Sequence, residues 1–291
     1  GNYLAKEARN MMHTDPAQQL CNSERPALWH ETIPATQDTA QAGQFTVYFQ
    51  PKIDMRTGKL FGAEALARGI GENNVIILPD QFIETLEKQG EIRELDFFVL
   101  DQALFQVMQW KESGLGTVPV SVNLSWQTLQ HPSALASILA IQSRYPQLPP
   151  DALELEITEN IGSTEKAKLR EIVNHFHACG LRLSLDNFRS RCATLPMFTN
   201  IKFSTVKLDR NLIADMADNP INQTLIQDII QICYACGMTC IAEGVETQDQ
   251  AATLLKAGCF YGQGYYYDHP MPAKQFKEKY LQDRYPTEPK K

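Results

Sequence analysis

Oxygen-bearing side chains stand at the ends of apolar runs throughout this chain. The clearest run is residues 181–188, where Leu181, Leu183 and Leu185 alternate with Arg182 and Ser184 before Asp186 and Asn187. A period of two is the pattern of a β-strand. Other strand-like runs close on Glu64, Asn123, Glu156, Lys207 with Asp209, Glu243 and Gln263. Taken singly, each of these is more often a helix cap or a solvated loop residue than a ligand. Taken together they form a set, because the loops after parallel barrel strands converge on one face. Glu64, Asn123, Glu156 and Asp186 offer hard oxygen donors, which suit Mg²⁺, Mn²⁺ or Ca²⁺ and not zinc. Lys207, directly after apolar Val206, reads as a cation facing a phosphate or a bound water.

The elements that must carry these residues follow in a regular order. Strands are predicted over 45–50 and 60–68, separated by a turn at 55–58. Pro79 opens a helix to Leu86, and 92–110 forms a longer amphipathic helix. Strand and helix then alternate: strands over 118–124, 153–158, 181–185, 205–208, 238–242 and 259–265. Helices are expected over 133–145, 163–179, 194–198, 221–235, 248–257 and 273–281, several ending at glycines such as Gly180, Gly237 and Gly258. Such alternation implies parallel strands with helical crossovers. Eight strands over about 240 residues have the size of one closed α/β barrel, a TIM-like (β/α)₈ fold. An open doubly wound sheet is the alternative.

Composition bounds the function. The chain has 291 residues, 43% apolar and 21% charged, as in an ordinary globular protein. Its formal charge of −7 argues against binding a nucleic-acid polymer or an anionic membrane. A small anionic ligand is compatible if metals and a few cations neutralise it locally. Nothing reaches the roughly 18 apolar residues of a membrane span, and the first residues lack the apolar core of a signal peptide. Seven cysteines suit reduced thiols in the cytoplasm. Cys233, Cys236 and Cys240 resemble a thiolate metal set, but buried cysteines at a helix end and in a strand are the plainer reading. His175 and His177 do not share a helix face, and Trp110 and Trp126 read as packing residues.

Further motifs carry a resemblance. The segment from Ala63 to Arg68, with Glu64-Ala65-Leu66 at its centre, resembles the signature of EAL domains, bacterial cyclic-di-GMP phosphodiesterases. Residues 48–52, 122–125, 155–159, 206–209, 242–247 and 262–265 are similar to that family's other motifs, in the same order. The resemblance covers about 45–281 and implies an EAL domain over 44–285, with a lead-in at 1–43 and a tail at 286–291. Residues 3–10 resemble the last helix of a GGDEF domain, which implies an upstream GGDEF or sensor domain.

The resemblance implies hydrolysis of cyclic-di-GMP to linear pGpG with one or two Mg²⁺ or Mn²⁺ ions, in a homodimer. Glu64, Asn123, Glu156 and Asp186 would hold the first ion, with Asp186 and Asn187 at the second. Glu243 takes the place of a general base, and Lys207 that of the lysine orienting the attacking water. Arg68, Leu66, Gln50, Asp209 and Gln263 fall at substrate-contact positions, and Glu159 and Glu246 at positions that brace the loops. Two cations about 3.5–4 Å apart stabilise attacking and leaving oxygens in such chemistry.

One loop departs from the pattern. The family reads Asp-Asp-Phe-Gly-Thr-Gly where this chain reads Asp186-Asn187-Phe188-Arg189-Ser190-Arg191. Asn187 keeps an oxygen but loses a charge, and arginine avoids backbone conformations that glycine reaches. The expectation is a first metal site and ligand pocket that survive, a weak second site, and hydrolysis that is slow or absent. A silent cyclic-di-GMP receptor is the alternative, and an unrelated metal-dependent barrel enzyme is a third reading.

Overall fold

The structure is a computed structural model that describes residues 44–158, 165–188, 201–216 and 218–282. It begins with a hairpin, β1 (Gln44–Asp54) and β2 (Lys59–Ile70), turned at Met55–Gly58. The other barrel strands are β4 (Val120–Asn123), β5 (Leu153–Thr158), β6 (Arg182–Phe188), β7 (Thr205–Leu208), β8 (Thr239–Glu243) and β9 (Tyr261–Gln263). Two-residue strands β3 (Ile76–Ile77) and β10 (Met271–Pro272) add to the sheet at β2 and β1. From β2 to β9 neighbouring barrel strands pair in parallel, and β1 closes the ring by pairing with both β2 and β9. The chain is therefore an eight-stranded closed barrel.

The direction of β1 corrects the all-parallel expectation. It runs antiparallel to both neighbours. The cause is visible in the sequence: four residues suffice for a hairpin but not for a helical crossover, which needs a dozen or more. Element ends shift as well. Pro79 opens a single 3₁₀ turn, Pro79–Gln81, before helix α1 (Ile83–Gln89). The strand β6 runs on past Leu185 to Phe188, and β9 is shorter than 259–265. The last helix, Ala273–Phe276, passes into a π-turn at Lys277–Leu281. The expected helix at 194–198, the lead-in at 1–43 and the tail at 286–291 lie outside the described residues.

Helices clothe the barrel. Helix α2 (Ile92–Glu112) is the longest among the described residues, and it buries Leu95, Leu100, Leu104 and Trp110. The Trp110 ring stacks on Phe276 at 5.3 Å and meets the edge of Phe49, from β1, at 5.1 Å. Burying side chains of this kind contributes about 1.5–3 kcal/mol each. Trp126 is half-buried, and its Nε1 donates to Glu165 at 2.8 Å. The chain leaves the helices α5 (Lys166–Ala178) and α7 (Pro220–Ala235) through Gly180 (φ 80°) and Gly237 (φ 71°), a left-handed turn that only glycine adopts at little cost. His175 and His177 are exposed. Among the described residues Cys179, Cys233, Cys236, Cys240 and Cys259 are free thiols, and no helix is long and apolar enough to cross a membrane.

Candidate active site

At the carboxyl ends of the strands the barrel interior turns from apolar to charged. Lys207, from β7, is 1% exposed and sits among three carboxylates. Its Nζ lies 3.0 Å from Glu64 Oε2, 2.8 Å from Glu156 Oε2 and 3.2 Å from Asp186 Oδ1. Those acids arrive on β2, β5 and β6 and meet on the inward face. Glu156 and Asp186 stand near their strand ends, whereas Glu64, expected to close a strand, lies in the middle of β2, which runs on to Ile70. Asn123 Nδ2 donates to Glu64 Oε1 at 2.8 Å. Gln263 Nε2 donates to Glu64 Oε2 at 2.7 Å and to Gln50 Oε1 at 2.8 Å. Gln50 in turn donates to the Asp268 carbonyl at 3.1 Å. Lys52, two residues along β1, joins Glu156 Oε1 at 2.8 Å and Ser121 Oγ at 2.6 Å. Glu243 closes β8, and its Oε2 is buried without a hydrogen-bond partner. Every barrel strand thus contributes a side chain to one cup.

The loop-side end of β6 is built differently. Its pairing with β7 slips between Leu185 and Phe188, a bulge at Asp186 and Asn187. Asn187 has φ 54°, a left-handed conformation that asparagine tolerates better than most residues. Bulges re-aim side chains beside functional sites. Here the bend folds Asn187 back on its neighbour, and both its backbone N and its Nδ2 donate to Asp186, at 2.8 and 3.2 Å.

Charge in the cup is unbalanced. Four carboxylates, Glu64, Glu156, Asp186 and Glu243, face two ammoniums, Lys52 and Lys207. Burial opposes the charge on Lys207, yet Asp186, Glu156, Glu64 and Glu243 hold its pKa well above the usual lysine value. Burial likewise works to raise Glu156, but Lys207 and Lys52 overcome it and hold that carboxyl low. Asp186 goes the other way: burial, aided by Glu156 and Glu64, raises it against the pull of Lys207. Glu243 is pushed up to about 8 by burial, with Asp186, Glu64 and Glu156 adding to the effect and Lys207 opposing it.

These side chains fit a divalent cation in chemistry, though not in their present arrangement. Hard oxygens from Glu64, Asn123, Glu156 and Asp186 form a suitable donor set, in a cup where four carboxylates outnumber two ammoniums. Glu243 Oε2 and Gln263 Oε1 are buried polar atoms in need of partners. Among the described residues no three acidic, histidine or cysteine side chains stand ready around one point. The carboxylates of Glu64, Glu156 and Asp186 converge instead on the Lys207 ammonium.

Other residues singled out in the sequence stand at the rim or apart. Arg68 is 7% exposed, donates to the Ala67 carbonyl at 2.8 Å and lies over the Tyr48 ring at 5.4 Å. Burial lowers its pKa, with Tyr48, Tyr265 and Glu64 opposing. Leu66 is half-buried on the same face of β2, opposite Tyr48. Asp209 is buried and caps the short helix Arg210–Ala214 through the Asn211 amide, at 2.8 Å. Glu246 is exposed in the loop before helix α8 (Gln248–Ala257), where its backbone N donates to Gln250 Oε1 at 2.7 Å. Glu159, Arg189 and Arg191 lie outside the described residues. Sequence reasoning gave no role to Lys52, Ser121 or Asp96. For Lys52 a signal existed, since it shares a strand face with Gln50.

Fold and site define the class: a (β/α)₈-like barrel carrying an acidic, lysine-bridged cup at the carboxyl ends of its strands. The chain belongs to the EAL domain family, whose model matches residues 34–270. Its relatives include the bifunctional diguanylate cyclase/cyclic di-GMP phosphodiesterase MucR of Pseudomonas aeruginosa, 30% identical over 232 residues. That match covers 80% of this chain and 34% of MucR. The cyclic di-GMP phosphodiesterase RocR, from the same organism, is 29% identical over 253 residues, 84% of this chain and 62% of RocR. The chain thus spans about a third of the length of MucR, as it does of other curated relatives. Among solved structures, the MucR phosphodiesterase in complex with c-di-GMP is 30% identical with a TM-score of 0.76, covering 82% of this chain and 98% of that one. The Pseudomonas aeruginosa FimX EAL domain bound to c-di-GMP shares the fold, with a TM-score of 0.70 at 21% identity over 78% of this chain and 90% of that one.

Proposed function

We propose that this chain binds cyclic-di-GMP over the cup and hydrolyses it to pGpG slowly, with a divalent cation held by Glu64, Asn123, Glu156 and Asp186. Support comes from relatives named as cyclic di-GMP phosphodiesterases and from a related structure in complex with the ligand. Bound there, Mg²⁺ or Mn²⁺ supplies a Lewis acid for a phosphate oxygen and acidifies a water. The remaining steps belong to side chains. Arg68, with no ion pair among the described residues, is the guanidinium available to a phosphate. Glu243 Oε2, buried and unpartnered, is the oxygen to take a proton from the attacking water. Lys207, released from the carboxylates, orients that water by donating to it.

Slow turnover follows from one observation. At position 187 an amide replaces a second carboxylate, and it donates to Asp186 and adds no negative charge. A second cation therefore finds weaker ligands at this corner than at the Glu64 side. Calorimetry of cyclic-di-GMP binding in Ca²⁺, followed by chromatography of products in Mg²⁺ and Mn²⁺, tests the reading. Absence of binding at tens of micromolar ligand overturns it. Binding with no pGpG identifies a receptor, the second reading, which the Asn187–Asp186 contact favours. Turnover equal to that of RocR under the same conditions shows that Asn187 is tolerated.

A further inference from the structure

Lys52 lies deep in the barrel on β1 and is 4% exposed. It and Lys207 divide Glu156 between them: Lys52 holds Oε1 and Lys207 holds Oε2, each at 2.8 Å. Their other contacts differ. Lys207 also reaches Glu64 and Asp186, so it stands in the space a cation needs. Lys52 has Glu156 as its one ion pair among the described residues and rests its ammonium on Ser121 Oγ at 2.6 Å. It comes from the floor side, because β1 descends into the barrel while Glu156 ascends on β5.

Glu156 is 0% exposed. A buried carboxylate is tolerated only when paired and hydrogen-bonded, and removing its partner is strongly destabilising. When Lys207 yields its place in the cup, Lys52 is the cation that remains to hold Glu156. We propose that Lys52, seated on Ser121, is a positioning residue that keeps Glu156 Oε2 turned toward the cup and thereby lets a divalent cation replace Lys207. The inference rests on the metal-binding reading above and extends it to a residue outside the ligand set.

The sign of one measurement separates positioning from simple charge. If Lys52 acted only through its charge, its removal would strengthen binding of a cation, since like charges repel. A positioning role requires the reverse. Partners that orient metal ligands are worth about 10–100-fold in affinity. Calorimetric titration of the full chain with Mn²⁺ at fixed pH should therefore show Lys52→Met at least about tenfold weaker than wild type, with Lys52→Arg close to wild type. Ser121→Ala, which keeps the charge and removes its seat, should also be weaker, by a smaller factor.

Unchanged or tighter Mn²⁺ binding by Lys52→Met overturns the inference. Should circular dichroism show Lys52→Met unfolded, Ser121→Ala decides: weaker binding with an intact fold supports positioning, and wild-type binding overturns it. A wild type that binds no Mn²⁺ overturns the metal reading itself and this inference with it. A wild type that binds, matched by its variants, overturns the inference alone.

Discussion

Asn187 donates to Asp186 twice, from its backbone N to Oδ1 at 2.8 Å and from Nδ2 to Oδ2 at 3.2 Å. Both oxygens of an acid in the cup are thereby engaged by the neighbouring residue, at a bulge that turns the two side chains together. An aspartate at 187 would keep the backbone donor, but its side chain could accept and not donate, and it would place two carboxylates side by side.

Asn187→Asp should accordingly make the metal-free protein less stable and the metal-bound protein more active. The expected gain in Mn²⁺ affinity and in pGpG formation is about tenfold or more, the scale of a ligand-orienting change. Calorimetry and product chromatography read it. Equal affinity and equal turnover in the two proteins would remove Asn187 as the cause of weak hydrolysis.

Lys207→Met should be among the most damaging substitutions in the metal-free barrel. It leaves Glu64, Glu156 and Asp186 facing one another without the ammonium between them. Breaking a buried pair from one side costs about 3–5 kcal/mol. Urea unfolding with and without Mn²⁺ tests this. The loss should shrink when the ion is present, and a loss below about 1 kcal/mol in both conditions would contradict it.

Glu243 sets a pH signature for the metal-free protein. Its carboxyl is pushed up to about 8, chiefly by burial, from an ordinary value of 4.5. The folded state therefore binds the proton more tightly than the unfolded chain. Its stabilising contribution is complete below about 4.5 and is lost as pH rises through about 8. Glu243→Gln carries no such titration. Melting temperatures without metal should show wild type losing ground to Glu243→Gln between about pH 5 and 8. Parallel curves would count against a buried proton at this position.

Asp96, on α2, governs the loop that follows Asn123. Its Oδ2 accepts from Ser125 N at 2.9 Å, Ser125 Oγ at 2.8 Å and Thr128 Oγ1 at 2.6 Å. Asp96→Ala strands these donors in a buried place, at a cost of about 1–3 kcal/mol. Ligand affinity should fall with it, because the anchor of the loop beside Asn123 is gone. Denaturant unfolding and calorimetry check the two halves separately.

Much of the site was legible because its members sit at strand ends, where an alternating apolar pattern stops on a polar residue. Asn123, Glu156, Asp186, Lys207 and Gln263 show that mark and stand in the cup; Glu64 stands there too, but from the middle of β2. Lys52 does not show it. It lies inside β1, and its partner Glu156 is 104 residues away, a contact that only the closed ring creates. Asn187 was visible as a substitution, yet the direction of its amide depends on a left-handed backbone that the letters do not display. The course of β1 was readable from its four-residue turn, but the regular alternation further along the chain masked it. Asp209 carries the same strand-end mark as the cup residues, and its side chain caps a helix.

Because β1 descends, the polypeptide reaches the barrel at the mouth: Gln44 pairs with Ile70 at the upper end of β2, and Asp54 pairs with Lys59 at the lower end. An all-parallel barrel would receive its incoming chain at the opposite pole. The first strand to enter the ring is thus also the one that bears Gln50 and Lys52, whose side chains meet Gln263 and Glu156.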